Sequence, residues 1–217
     1  MGAIARSIAN KITTSGVFTS TAIANSSVTG ITTLANASDG ITLISSQTAS
    51  NSASISFTSG LDSTYKAYKF VYVNMNPNDD SVQFRFNGST DGGSNYNVTK
   101  TSTKWGAYHD EADTASGTEF SAGNSLDQST AFQSLSSVGS IGGGSDECIS
   151  GELIIFNPSS TTYVKHYISR GNFVADSDYS IDSYTAGYMN TTSAVNAIQF
   201  IFATGNFDGK IYLYGIK

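Results

Sequence analysis

The chain is short of cysteine, proline, histidine and charge. Cys148 is the only cysteine, so no intramolecular disulfide framework can staple the fold. Two histidines and that lone thiol give no ligand spacing for zinc, and no metal or other cofactor is expected. Charged residues make up 13% of the 217 residues, against a usual share of about 25%. The net charge is −6 with no basic stripe, which argues against a nucleic-acid partner. No apolar run approaches the ~18 residues of a membrane span, so no membrane partner is expected. Arg6 and Lys11 interrupt the first apolar stretch, so the sequence predicts no secretory leader and synthesis in a cytoplasm.

Ser, Thr, Asn and Gly fill the space that charge leaves. Twelve Phe and 12 Tyr, with regular aliphatic runs, are enough to build a core. The β-branched and aromatic bias points to strands. Charge is uneven along the chain. Residues 1–48 carry Arg6, Lys11 and Asp39, a net of +1, which leaves −7 for the remainder.

Residues 1–40 read as an anchoring arm. Ile4, Ile8 and Ile12 recur every four residues and allow a short helix at 3–12. Gly16, Gly30 and Gly40 then break any sustained period. With Val17 and Phe18, these isoleucines are the candidate partner-anchoring residues.

Residues 41–217 read as one all-β domain, a jelly-roll-like two-sheet sandwich. Strands are expected at 41–47, 53–58, 66–75, 81–87, 94–100, 104–109, 130–136, 149–157, 161–169, 180–189, 196–204 and 209–215. "VQFRF" alternates Val82, Phe84 and Phe86 with Gln83 and Arg85, as a half-buried strand does. "YKFVYV" and "ELIIF" are apolar on both sides and read as buried between layers. Pro77 and Pro158 fall in expected loops. The absence of a fixed-period repeat argues against a propeller or solenoid.

Two segments carry candidate chemistry. "FNGSTDGGSNYN", Phe86 to Asn97, fits S-x-D-x-G-x-x-[WY] through Ser89, Asp91, Gly93 and Tyr96. It resembles the Asp-box hairpin of sialidases and other glycan-handling propellers. It occurs once, so it reads as a hairpin turn between 81–87 and 94–100, its Asp and Ser bonding the loop backbone. "KWGAYHDEAD", Lys104 to Asp113, holds the only Trp. On a strand, Trp105 and His109 share one face, and Tyr108 and Asp110 the other. Trp105, Tyr108, Asp110 and Tyr96 are the candidate glycan-binding residues; the alternative is a core Trp followed by a solvated acidic turn. His166 reads as a half-buried strand residue. No G-x-S-x-G elbow occurs, and "GSIGGGSDE" lacks the lysine and helix of a phosphate cradle. No catalytic residue is assigned and no enzymatic activity is expected.

The segments "ISFTSGLDSTYKAYKFVYVNMNP", "LIIFNPSSTTYVKHYIS" and "AGYMNTTSAVNAIQFIFATGNFDGKIYLYGI", with Phe86–Glu111, resemble virion structural proteins of marine and cyanobacterial tailed phages. The resemblance covers 41–217. It implies a capsid decoration (cement) protein, with the major capsid protein or other virion proteins as partners. It further implies a homo-oligomer, expected as a trimer, on the outer surface of the particle. The alternative is a receptor-binding fibre tip that holds a host-surface glycan.

Overall fold

The computed structural model describes residues 40–136 and 138–217. The chain divides between Asp39 and Gly40. The anchoring residues Ile4, Ile8, Ile12, Val17 and Phe18, and the short helix at 3–12, lie outside the described residues.

Twelve strands follow Gly40: β1 (Ile41–Ser52), β2 (Ile55–Phe57), β3 (Ala67–Pro77), β4 (Phe84–Ser89), β5 (Lys100–Asp110), β6 (Ser116–Phe120), β7 (Gln133–Ser134), β8 (Ile149–Phe156), β9 (Lys165–Val174), β10 (Tyr179–Met189), β11 (Ala197–Phe202) and β12 (Phe207–Ile216). They form two antiparallel sheets, one of eight strands in the order β1-β12-β3-β8-β9-β10-β5-β6 and one of four in the order β2-β11-β4-β7. This is a sandwich, as the sequence predicts. The pairs β1·β12, β2·β11, β3·β8 and β4·β7 nest inside one another, which is the wrapping of a jelly roll. Two hairpins are inserted into that wrapping, β5–β6 after β4 and β9–β10 after β8. Both join the same sheet and widen it to eight strands.

The core lies between the sheets and is dominated by aromatic rings. Phe84 and Phe200, neighbours on β4 and β11, stack with centroids 5.7 Å apart. Phe57 and Phe70 meet edge to face at 5.3 Å, and Phe86 meets Tyr167 across the sheets at 5.1 Å. Each such pair contributes about 0.5–1.5 kcal/mol beyond the area it buries. Tyr72 lies flat across the inner face of the large sheet. This requires glycine at the cross-strand pair Gly151 and Gly171, where an added Cβ would sit 2.8 Å from the Tyr72 oxygen.

The strands depart from expectation in several places: Pro77, expected in a loop, closes β3; the expected strand 130–136 shrinks to Gln133–Ser134; and 161–169 becomes Lys165–Val174. Residues 94–99 are a loop, and β5 begins only at Lys100. The polar run 116–120 forms β6, which sequence periodicity does not reveal. It forms because β5 offers it a backbone ladder from Trp105 to His109.

Candidate functional site

Ser89 to Tyr96 holds itself together by local hydrogen bonds. The Ser89 hydroxyl donates to Asp91 Oδ1 at 2.6 Å and accepts from the Gly93 N–H at 3.0 Å. Asp91 also accepts from the backbone and side-chain N–H groups of Asn95 at 2.9 and 2.7 Å. The Ser89 hydroxyl and the Asn95 donors pull the Asp91 carboxyl down to about 2. Tyr96 folds back under Gly93, with its hydroxyl buried. The loop joins β4 of the small sheet to β5 of the large one, so it is a crossover and not the hairpin expected. Asn87 ties it down, donating to the carbonyls of Tyr96 and Thr130 and accepting from Lys100 Nζ at 2.5 Å.

The four expected glycan residues do not meet. Trp105 stands on the outer face of the large sheet, 44% exposed, and so is not a core Trp. Tyr108 is on the opposite face and packs edge to face on Tyr179 at 5.8 Å. Asp110 is buried at the end of β5, where it accepts the N–H groups of Thr114 and Ala115, both at 2.8 Å, and the Thr114 hydroxyl. The Thr114 hydroxyl, then the Ala115 N–H, hold its carboxyl below the usual range, so Asp110 caps the turn into β6. Tyr96 belongs to the crossover. His109 shares the outer face with Trp105, as strand alternation predicts.

The outer face gathers a different set. Phe120, Trp105, Tyr184, Arg170 and Glu152 are successive cross-strand partners on β6, β5, β10, β9 and β8. Trp105 and Tyr184 stack in parallel with centroids 4.2 Å apart and planes 3° from parallel. The Arg170 guanidinium sits 5.0 Å from the centroid of the Tyr184 ring. It makes a two-pronged bond to Asp182, at 3.0 and 2.8 Å, and Asp182 also accepts the Tyr184 hydroxyl at 3.0 Å. These donors, Arg170 first, hold the Asp182 carboxyl below its usual range. Glu152 pairs with Lys69. Beside this ridge is a trough of about 380 Å³ lined by Trp105, Tyr184, Ile168, Ala186 and Thr103. On its other side a second hollow of about 700 Å³ is lined by Arg170, Asp182, Asn172, Glu152 and Ser150. All the exposed large apolar side chains except Tyr163 lie on this face among the described residues. Alternation within "SIDSYTAGY" and "HYISR" was the signal that could have exposed Tyr184, Asp182 and Arg170. What hid them is that the pairing of β10 with β9 is a three-dimensional fact.

The inner face of the inserted strands carries three fully buried lysines, Lys100, Lys104 and Lys165. Each donates to backbone carbonyls: Lys100 to Val98 (2.8 Å), Lys104 to Ser136 (2.5 Å), and Lys165 to Tyr163 (2.8 Å) and Thr191 (3.1 Å). Burial pulls the amines of Lys100 and Lys104 down to about 7.

Charge is segregated along the strand direction. The loops 78–83, 111–115, 142–148, 175–178 and 203–206, with the ends of the strands beside them, all emerge at one end of the sandwich. There they carry Asp79, Asp80, Asp110, Glu111, Asp113, Asp146, Glu147, Asp176, Asp178 and Asp208, with no Lys or Arg. Gly40 lies at the opposite end, which carries Lys66 and Lys217 as well as Asp62, Asp91 and Asp127. No group of His, Cys, Asp and Glu among the described residues is arranged to hold a metal ion. No helix among them is long and apolar enough to cross a membrane. No family model, curated protein or solved structure matches the chain.

Proposed function

We propose that the protein is a capsid decoration protein, a virion structural component to which no reaction is assigned. Residues 1–40 anchor it through Ile4, Ile8, Ile12, Val17 and Phe18, and the jelly roll projects from the particle. The observation that carries this reading is the charge axis. The described chain starts at the pole where charge is near balance, and the opposite pole carries ten acidic residues and no Lys or Arg in its loops and strand ends. A body tethered by its N-terminal arm would turn the acidic pole to solvent. There, like charge keeps neighbouring particles apart. The resemblance of 41–217 to tailed-phage virion proteins points the same way. Several copies on one shell would multiply a weak single attachment by avidity.

Co-sedimentation with purified shells of the tailed phage tests this. The full chain should pellet with the shells, and a variant lacking 1–40 should remain in the supernatant. Undiminished binding without the arm would overturn the reading.

A further inference from the structure

The outer face of the large sheet has the features of a small-molecule site that capsid attachment does not need. We propose that the Trp105–Tyr184–Arg170 ridge and the hollows on its two sides form a binding site for an uncharged glycan chain. The ridge side chains are bonded to one another without any ligand. Tyr184 is held from three directions, by the parallel Trp105 ring, the Arg170 guanidinium and the bond from its hydroxyl to Asp182. Preorganisation of this kind lowers the cost of binding. The two hollows differ in chemistry. One is a mostly apolar trough lined by Trp105, Tyr184, Ile168 and Ala186, and the other adds the planar polar groups of Asp182 and Asn172; Arg170 and Glu152 border both. A sugar ring presents the matching pair, a C–H surface and a fringe of hydroxyls that both donate and accept. Volumes of about 380 and 700 Å³ fall in the ~300–1,000 Å³ range of small-ligand sites.

Charge selects the occupant. Arg170 is paired with Asp182 and Glu152 with Lys69, so these four charges cancel and the ridge offers no net charge to a sulfated or uronic polymer or to a basic peptide. The site is not the expected set of Trp105, Tyr108, Asp110 and Tyr96, of which it retains Trp105 alone. It stands independently of shell attachment by the arm.

The test is calorimetric titration of the full chain with uncharged hexose oligosaccharides, namely glucan, mannan and galactan fragments. An acidic polysaccharide serves as a comparison. At least one neutral oligosaccharide should bind saturably, with an affinity unchanged between low and high salt. Trp105→Ala should weaken it about tenfold or more. Tyr184→Phe removes one hydroxyl and leaves the ring, so it guards against misfolding; it should weaken binding about threefold or more. Tyr108→Phe, on the other face, should change nothing. Failure of every neutral oligosaccharide to bind overturns the proposal. So does binding confined to the acidic polymer and lost in salt. So does binding indifferent to Trp105→Ala and Tyr184→Phe, or a Trp105→Ala variant whose only defect is shell binding.

Discussion

The two faces of the eight-stranded sheet are built from the same strands and answer to different demands. On β5, Lys104 points inward and is fully buried, while Trp105, the next residue, is 44% exposed. On β9, Tyr167 and Phe173 fill the core, while Ile168 and Arg170 lie outside. Hydrophobicity alone does not say which face is the core. What decides is the presence of a second sheet: the four-stranded sheet covers one face, and the outer face carries an organised aromatic and ionic ridge instead. The inner face should therefore govern stability and the outer face binding.

The sharpest way to break that division is through the aromatic core. Phe200→Ala removes a ring that stacks on Phe84 and touches Phe70 and Phe57, and it should cost about 3–5 kcal/mol. Urea unfolding followed by fluorescence would check it; a loss below about 1 kcal/mol would mean that the sheets are not packed as described. Gly171→Val comes next. Its side chain would collide with the Tyr72 oxygen and Ile149, at a cost of about 1–3 kcal/mol in the same assay.

The buried lysines give a third test. With a folded pKa of about 7 and an unfolded value of about 10.4, Lys100 and Lys104 are less protonated folded than unfolded between those limits. Stability should rise as pH increases from 7 to 9, by at most about 1.4 kcal/mol per unit per lysine. Lys104→Met should flatten the slope. A flat profile that Lys104→Met leaves unchanged would show that these amines stay charged inside the fold.

The smallest effect belongs to the outer face. Arg170→Ala breaks a largely exposed ion pair with Asp182 and should shift stability by no more than about 1 kcal/mol. A cost matching that of Phe200→Ala would erase the distinction between the faces.

These contrasts explain which parts of the molecule the sequence reveals. Val82, Phe84 and Phe86 alternate cleanly, and all three are buried. "ELIIF" misleads. It reads as a strand covered on both sides, yet Leu153 and Ile155 face the core while Phe156 stands exposed on the outer face. The Asp-box-like segment correctly predicts a self-bonded turn, because its contacts are local. Its sequence does not say that the next strand belongs to the other sheet. The lysines of β5 and β9 give no signal either. Lys in a strand usually marks a solvated position, and here the crossing segment around Gln133–Ser136 covers Lys104. Of the candidate site, Trp105 was legible as the only Trp; its partners depend on cross-strand register.

The proposal that the protein decorates a phage shell is tested most directly by seeking it in a reconstruction of such a particle. Density on the outer surface of the shell, with the Gly40 pole toward the capsid and the acidic loops away from it, is the predicted result. Density at the tail tip, or the acidic pole seated against the shell, would contradict it.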